Sequence, residues 1–151
     1  MVARSSNILL VEDDDNDVFL IKRAFRKLNL PHSLHLVEDG EAAINYLQGR
    51  EPYNQKDNFI LPELILLDLK LPRISGLEVL QWIRQQPDLK RMPIVILTAS
   101  RESIDINKAY DLGVNSYLVK PVNFNEFLEM LSTLNSYWLK FNENPALQIN
   151  R

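Results

Sequence analysis

The sequence predicts an α/β fold built on a doubly wound, five-stranded parallel sheet that helices cover on both faces. Two observations predict it. Short apolar runs of strand length alternate along the chain with longer segments in which apolar residues recur at helical spacing. The runs at 64–67 and 93–97 are apolar throughout, which is typical of strands buried on both faces. Because right-handed crossovers join parallel strands, we expect the strand order 2-1-3-4-5, which is also that of flavodoxin-like folds.

Each predicted strand is followed by a predicted helix, and local signals mark where two of the helices begin. Asp14 and Asp15 are expected to cap the first helix, because acidic residues are favourable in a first turn. Ser75 can cap the third helix, and Glu78 at the third helical position completes a capping box. The predicted strands are ILLV (8–11), SLHLV (33–37), LILL (64–67), PIVIL (93–97) and SYLV (116–119), and the helices cover 15–28, 40–48, a segment after Ser75 that includes 77–83, 104–112 and a last segment from 124 to 138.

The chain is predicted to form one domain, residues 1–151, with a core at 7–136. Two segments fall outside the alternating pattern: a polar loop at 49–62 and a C-terminal extension at 137–151. After Lys120 only 31 residues remain. One helix uses about half of them, which leaves fewer than the ~50 residues that a further domain needs. We therefore expect no attached DNA-binding or catalytic domain.

Composition argues against several classes of protein. With 46% hydrophobic and 25% charged residues, the chain has the composition of a soluble globular protein. The net charge of −3 and the lack of a lysine and arginine block argue against nucleic-acid binding. The chain has no cysteine, so a disulfide framework and thiolate chemistry are ruled out, and a cytoplasmic location is expected. No apolar run approaches the ~18 residues of a membrane span, and the N-terminus has no signal-peptide pattern.

Polar side chains follow four of the predicted strands at the point where each strand ends. Glu12 and Asp13 follow the first strand, Asp68 the third, Thr98 the fourth and Lys120 the fifth. In an open parallel sheet, the carboxyl ends of the strands form the ligand-binding edge, beside the point where the strand order reverses. Strands 1 and 3 are neighbours in the expected order. We therefore expect the three acids to lie together, flanked by the hydroxyl and the ammonium group.

Three carboxylates at one edge need positive charge to balance them. Two carboxylates ~4 Å apart repel by about 4 kcal/mol at an effective dielectric constant of about 20. Lys120 supplies one positive charge, and Mg²⁺ suits a site with few carboxylates, several waters and a phosphoryl oxygen. A carboxylate beside Mg²⁺ and an ammonium group can attack phosphorus and form an aspartyl phosphate. The pattern therefore predicts a phosphoryl-accepting aspartate at position 68.

The segments that carry these residues resemble the receiver domain of two-component response regulators. The matching segments are ILLVEDD, LILLDLKLPRISGLEVL, IVILTAS and YLVKP, and the resemblance covers residues 7–136. Separations of 30 residues from Asp68 to Thr98 and of 22 from Thr98 to Lys120 are those of the family. The resemblance implies a protein whose phosphorylation switches a protein-binding face. It is then no enzyme beyond Mg²⁺-dependent self-phosphorylation and slow self-dephosphorylation.

The resemblance also implies roles for individual residues in the phosphoryl chemistry. Asp68 would be the phosphoacceptor, and Thr98 and Lys120 would contact the phosphoryl group. Tyr117, three residues before Lys120, matches an aromatic switch residue that turns inward when Thr98 moves toward the phosphate.

A divalent cation is part of the same resemblance. The ligands of Mg²⁺, or of Mn²⁺, would be Glu12, Asp13, Asp68 and the backbone carbonyl of Lys70. Asp13 would be a direct ligand, and Glu12 would lie nearby or act through a water molecule. Many members have Asp at position 12, and Glu is a common variant that keeps a carboxylate there.

Three other functions are weighed against this one. A phosphatase of the haloacid-dehalogenase type also uses an aspartate nucleophile after a strand, but it needs a second acid two residues on, where this chain has Lys70. A flavodoxin-like nucleotide binder needs a loop rich in Gly, Ser and Thr after the first strand. Here that loop is EDDDND, and the four glycines of the chain form no phosphate-binding motif. A receiver-like module that binds partners without phosphorylation is the third, and the intact set of site residues argues against it.

Two features narrow the subtype. The long loop at 49–62 and the extended last helix are similar to those of phytochrome-associated response regulators, which are small stand-alone receivers. This resemblance implies a light-sensing histidine kinase of the bacterial phytochrome type as the partner. It also implies a homodimer formed through the last helix and the C-terminal segment. The candidate dimer contacts are Tyr137, Trp138, Leu139 and Phe141, and the alternative is that Trp138 packs on its own domain.

Overall fold

The computed structural model describes residues 5–50 and 61–147. Its strands are β1 (Asn7–Val11), β2 (Ser33–Val37), β3 (Leu64–Leu67), β4 (Ile94–Thr98) and β5 (Ser116–Val119), and its helices are α1 (Asp15–Lys27), α2 (Gly40–Leu47), α3 (Gly76–Gln85), α4 (Ser103–Asp111) and α5 (Phe124–Leu134). The strands are parallel and lie in the order β2-β1-β3-β4-β5. The predicted fold and strand order are confirmed.

The sheet lies between two layers of helices, and alternate residues of each inner strand face opposite layers. In β1, Ile8 and Leu10 pack in one apolar cluster with residues of α1 and α5. Leu9 and Val11 pack in a second cluster with residues of α2 and α3, which also contains Ala109 of α4. Residues buried on both sides explain why β1, β3 and β4 read as continuous apolar runs.

The predicted caps position the helices that begin at the carboxyl edge of the sheet. The side chain of Asp14 caps α1 by accepting a hydrogen bond from the N–H of Asp17 at 3.0 Å. The Ser75 hydroxyl accepts from the N–H of Glu78 at 3.3 Å, and the Glu78 carboxylate accepts from the N–H of Ser75 at 2.8 Å. Asp15 lies in the first turn of α1, where its charge is favourable.

One arginine ties the opposite, amino edge of the sheet to α3. The Arg84 guanidinium donates to the backbone carbonyls of Lys90 (3.0 Å), Met92 (2.8 Å) and Gly113 (2.8 Å). It also donates to the side-chain carbonyl of Asn115 at 2.9 Å, and the same oxygen accepts from the N–H of Ile94. The loops that lead into β4 and β5 are therefore held by a single side chain.

The edge strand β5 is covered less completely than the inner strands. All residues of β3 and β4 are buried, whereas all four residues of β5 are only partly buried. The neighbouring α4 buries only Ala109, and its Ile104 and Tyr110 side chains are exposed. The side of the domain formed by α4, β5 and α5 is therefore less completely covered than the central strands.

The last helix changes its winding at Leu134. From Asn135 to Phe141 the chain forms a π-helix instead of the predicted continuation of the α-helix, and the N–H of Asn142 bonds the carbonyl of Tyr137, five residues back, at 2.7 Å. Leu139 is only 2% exposed and lies in the α1–α5 cluster of its own domain. This contradicts its prediction as a dimer contact, because a side chain in its own core cannot also face a partner.

The other predicted dimer contacts lie nearer the surface. Tyr137 and Phe141 are 58% and 70% exposed. Trp138 is half-buried and packs against the α1–α5 cluster, as the alternative prediction has it. Further along the chain, Leu147 packs against the other apolar cluster, on the side of the sheet that α2, α3 and α4 cover. Most of the predicted long loop, residues 51–60, lies outside the described residues.

Candidate functional site

The strand ladder places the predicted site residues at one edge of the sheet. The N–H of Glu12 bonds the carbonyl of Val37 at 3.1 Å, and the N–H of Asp68 bonds the carbonyl of Val11 at 3.0 Å. These bonds continue the parallel pairing one residue beyond each strand, so the two carboxylates emerge side by side.

The fourth and fifth strands contribute the remaining polar groups in the same way. The N–H of Lys120 bonds the carbonyl of Thr98 at 2.8 Å, so the hydroxyl and the ammonium group project from adjacent strands. Asp68, Thr98, Lys120 and Asp13 line one cleft of about 530 Å³, together with the exposed Lys70. The structure therefore brings the predicted phosphoacceptor, hydroxyl and ammonium group together.

The Lys120 ammonium group lies among three carboxylates. Its Nζ donates to Asp17 Oδ2 at 2.8 Å, to Glu12 Oε2 at 3.1 Å and to Asp68 Oδ2 at 3.3 Å. The lysine side chain is 10% exposed, so these contacts replace most of its hydration. Asp17 was not among the predicted site residues, and its carboxylate makes the shortest of the three contacts.

Burial and hydrogen bonding move the pKa values of the two inner carboxyl groups in opposite directions. The pKa of Glu12 is raised to about 8, first by burial and then by its hydrogen bond with Asp68 and the charge of that carboxylate, which together outweigh the opposite effect of Lys120. Burial alone would raise the pKa of Asp68, but the hydrogen bond from Glu12, the charge of Lys120 and the hydroxyl of Thr98 together lower it. The N–H of Leu69 also donates to Asp68 Oδ1 at 2.7 Å. In the metal-free site, the two shifts therefore favour ionisation of Asp68 over ionisation of Glu12.

The acid cluster has the composition of a site for a hard divalent cation. One carboxylate oxygen each from Glu12, Asp13 and Asp68 lies within 4.8 Å of the others. Oxygen ligands of this kind suit Mg²⁺ and Mn²⁺. Glu12, 1% exposed and with a raised pKa, would gain most from a cation, because a charged carboxylate at that depth needs a positive partner. The residues present therefore fit the expected metal.

Tyr117 lies beside the loop that follows β4. Its hydroxyl donates to the carbonyl of Ser100 at 3.0 Å. The Ser100 hydroxyl in turn donates to Asp105 of α4 at 2.6 Å and accepts from the N–H of Glu102 at 3.3 Å. The predicted switch aromatic is thus hydrogen-bonded to the segment that joins Thr98 to α4.

A glycine fixes the distance between α3 and the loop after β3, which begins with Asp68. The N–H of Gly76 bonds the carbonyl of Leu69 at 2.8 Å. A Cβ atom at Gly76 would overlap the carbonyl oxygen of Asp68 and lie 2.7 Å from the Cα of Leu69. The first residue of α3 therefore has to be glycine for the helix to approach the loop this closely.

Comparisons with known proteins agree with this arrangement. The family model for the response regulator receiver domain matches residues 8–132. The chain is 42% identical over 139 residues to the response regulator Rcp1 of Synechocystis sp., which covers 92% of each chain. It is 39% identical over 139 residues to the "Probable methanogenesis regulatory protein FilR2" of Methanothrix harundinacea, which covers 92% of this chain and 87% of the relative.

Solved structures show the same similarity in three dimensions. The crystal structure of the phosphorylated cyanobacterial phytochrome response regulator RcpA has a TM-score of 0.86 at 37% identity and covers 95% of this chain and all of the other. The Mn²⁺-bound form of Rcp1 has a TM-score of 0.84 at 41% identity and covers 93% of this chain and 99% of the other. Across residues 5–50 and 61–147, no helix is long and apolar enough to span a membrane.

Proposed function

Because this chain belongs to the response regulator receiver family, we propose that it is a single receiver domain that accepts a phosphoryl group on Asp68 from a sensor histidine kinase. The observation that carries the proposal is the contact of an ionised Asp68 with the Lys120 ammonium group, at the edge where Glu12, Asp13 and Thr98 also lie. None of these groups alone is specific to a phosphoryl-accepting site. Their convergence supplies a nucleophile, counter-charges and an oxygen-rich metal site in one cleft.

The proposed reaction is an in-line displacement at phosphorus. A carboxylate oxygen of Asp68 forms a bond to phosphorus while the phosphorus–nitrogen bond of a phosphohistidine breaks. The imidazole nitrogen keeps the bonding electron pair and takes up a proton from solvent. Lys120 and the Thr98 hydroxyl donate hydrogen bonds to phosphoryl oxygens, which carry the charge of the transition state.

The carboxylates of Glu12, Asp13 and Asp68 and the backbone carbonyl of Lys70 would hold Mg²⁺ or Mn²⁺. When bound, the cation supplies positive charge that neutralises phosphoryl oxygens. Rcp1, the 42% identical relative, has been crystallised in a Mn²⁺-bound form, which supports a divalent cation at this site.

The phosphoacceptor is tested by incubating the protein with phosphoramidate and Mg²⁺ and measuring its intact mass. We expect the wild type to gain the mass of one phosphoryl group and Asp68→Asn to gain none. Omission of Mg²⁺ should abolish the gain. An unchanged wild-type mass, or the same gain in Asp68→Asn, would contradict the proposed function.

We further propose that phosphorylation acts on the face formed by α4, β5 and α5. The support is the contact between Tyr117 and the loop after Thr98, together with the incomplete cover of β5. A shift of Thr98 toward the phosphate would pass through this loop to α4, which is a two-state change of the kind seen in switch proteins. Amide chemical shifts before and after phosphorylation test it. An unchanged face would count against the switch.

The kinase partner is proposed to be of the phytochrome type. The support is similarity to Rcp1 and to RcpA, which is described as a cyanobacterial phytochrome response regulator. Purified phytochrome kinase and an unrelated histidine kinase, each phosphorylated beforehand, are offered this protein in separate time courses. Faster transfer from the phytochrome kinase is expected, and equal or faster transfer from the unrelated kinase would contradict the assignment.

A homodimer is proposed through the exposed part of the C-terminal segment. Tyr137 and Phe141 supply exposed aromatic surface, and Tyr137 and Trp138 line a largely apolar groove between β5 and α5 of about 640 Å³. Sedimentation at tens of micromolar should show a dimer for the wild type and a monomer for the Tyr137→Ser, Phe141→Ser double variant. Phe19→Ser is a matched control, because Phe19 is 56% exposed on α1. A monomeric wild type would rule out the dimer.

A further inference from the structure

We propose that Asp17 is a positioning residue that holds the Lys120 ammonium group at the reaction edge while Asp68 reacts. This inference rests on the proposed function, because it assigns a task within phosphoryl transfer. Asp17 Oδ2 lies 2.8 Å from Lys120 Nζ, which is closer than the carboxylates of Glu12 and Asp68. The residue touches neither the phosphoryl group nor the metal in this scheme, and it acts only through Lys120.

All three N–H groups of the ammonium have acceptors before the reaction, one on each carboxylate. To donate to a phosphoryl oxygen, Lys120 has to release at least one of them. Asp68 gives up its charge when its oxygen bonds to phosphorus, and Glu12 belongs to the carboxylate group that can turn to a cation. These two contacts are therefore the ones that weaken during the reaction.

The contact with Asp17 is the one that persists. Asp17 is not part of the acid cluster that can hold a metal, and Lys120 is its only ion-pair partner among the described residues. Its backbone is fixed as well, because its N–H donates to the capping side chain of Asp14. When the other two contacts weaken, Asp17 keeps the ammonium group in place and leaves two N–H groups for phosphoryl oxygens.

A charge effect and a positioning effect can be separated with a neighbouring acid. Asp15 lies in the same first turn of α1 and is exposed, and no hydrogen bond or ion pair joins it to Lys120 among the described residues. Asp15→Asn therefore removes the same charge from the same helix end without releasing the lysine. Asp17→Glu keeps the carboxylate and tests rescue.

The experiment compares wild type, Asp17→Asn, Asp17→Glu and Asp15→Asn at saturating phosphoramidate and Mg²⁺. We expect Asp17→Asn to lower the maximal phosphorylation rate about tenfold, the range of one charge-assisted hydrogen bond. Asp17→Glu should recover most of the rate, and Asp15→Asn should stay near wild type. Equal rates for Asp17→Asn and Asp15→Asn would overturn the inference, as would an Asp17→Glu variant as slow as Asp17→Asn.

A second measurement does not depend on phosphorylation. An ammonium group that is buried and hydrogen-bonded exchanges its protons slowly enough to give a ¹⁵N-edited NMR signal. The Lys120 signal should be present in wild type and Asp15→Asn and be lost or broadened in Asp17→Asn. If the wild type is never phosphorylated, the proposed function fails. The NMR measurement still tests whether Asp17 holds the Lys120 ammonium group in place. A Lys120 signal that is unchanged in Asp17→Asn would contradict the positioning role of Asp17.

Discussion

Replacement of Gly76 by alanine is expected to damage the site more than it damages the fold. The added Cβ would lie 2.7 Å from the Cα of Leu69, whereas ordinary contacts begin near 3.4 Å, and it would overlap the carbonyl of Asp68. Both neighbours are backbone atoms and the Asp68 oxygen is the nearer one, so α3 and the loop after β3 have to separate by more than ~0.7 Å. Overpacking of this size costs about 1–3 kcal/mol.

The displacement falls on the proposed phosphoacceptor, because the loop that has to move carries Asp68. A misplacement of ~1 Å can lower the rate of a reaction ~100-fold, so we expect Gly76→Ala to lower the phosphorylation rate by ~10- to 100-fold. The assay is the initial rate of mass gain with phosphoramidate and Mg²⁺, beside a urea denaturation curve for each variant.

Gly113→Ala is the matched control for lost stability. Gly113 has φ +95° and lies at the amino edge of the sheet, and its added Cβ would meet only the flexible side chain of Arg84. An alanine there costs ~1–2 kcal/mol of backbone strain but leaves Asp68 in place. A wild-type phosphorylation rate in Gly76→Ala, or an equal loss in Gly113→Ala, would refute the reasoning.

Three further predictions follow from contacts away from Gly76. Arg84→Met removes hydrogen bonds to three carbonyls and one side chain, and we expect it to lower the free energy of unfolding by ~1–3 kcal/mol in urea; an unchanged midpoint would contradict this. The pKa of Glu12 is raised from 4.5 to about 8, so the folded metal-free protein keeps a proton that the unfolded chain releases, and its Tm in EDTA should fall as the pH rises through this range. Glu12→Gln should weaken this dependence of Tm on pH, and an equally steep fall of Tm in the variant would show that another group causes it. Because Leu139 is only 2% exposed, Leu139→Ala should lower the free energy of unfolding by ~2–5 kcal/mol. If this variant instead loses a dimer without losing stability, Leu139 is an interface residue after all.

The sequence was sufficient for the fold because its signals were local and agreed with one another. Three of the five predicted strands, including SLHLV and SYLV, have the observed bounds, and the other two differ by one residue. The spacing of the apolar residues and the length of each run identify a strand. Because crossovers between parallel strands are right-handed, few strand orders then remain for five parallel strands. The convergence of Glu12, Asp68 and Lys120 followed from that order alone, because each is the first residue after its strand.

Contacts that depend on how elements pack were not accessible in this way. Asp17 has the sequence context of an ordinary acid in the first turn of a helix, and only the packing of the folded chain brings it to Lys120, which follows β5. The one usable signal was its place three residues after the N-cap Asp14, which puts it in the first turn of α1 at the carboxyl edge of the sheet. The π-helix was missed for a similar reason, because its extra residue per turn shifts Leu139 from the expected surface into the core.

The uneven cover of the sheet has a consequence for how such a protein can diversify. The third strand, which leads to the proposed phosphoacceptor Asp68, has no exposed side chain, so almost any substitution there disturbs its packing. The half-covered fifth strand and the sparsely packed fourth helix accept new side chains at little energetic cost. Recognition of new partners can therefore evolve on the exposed side chains of this flank while the buried strands at the centre of the sheet stay unchanged.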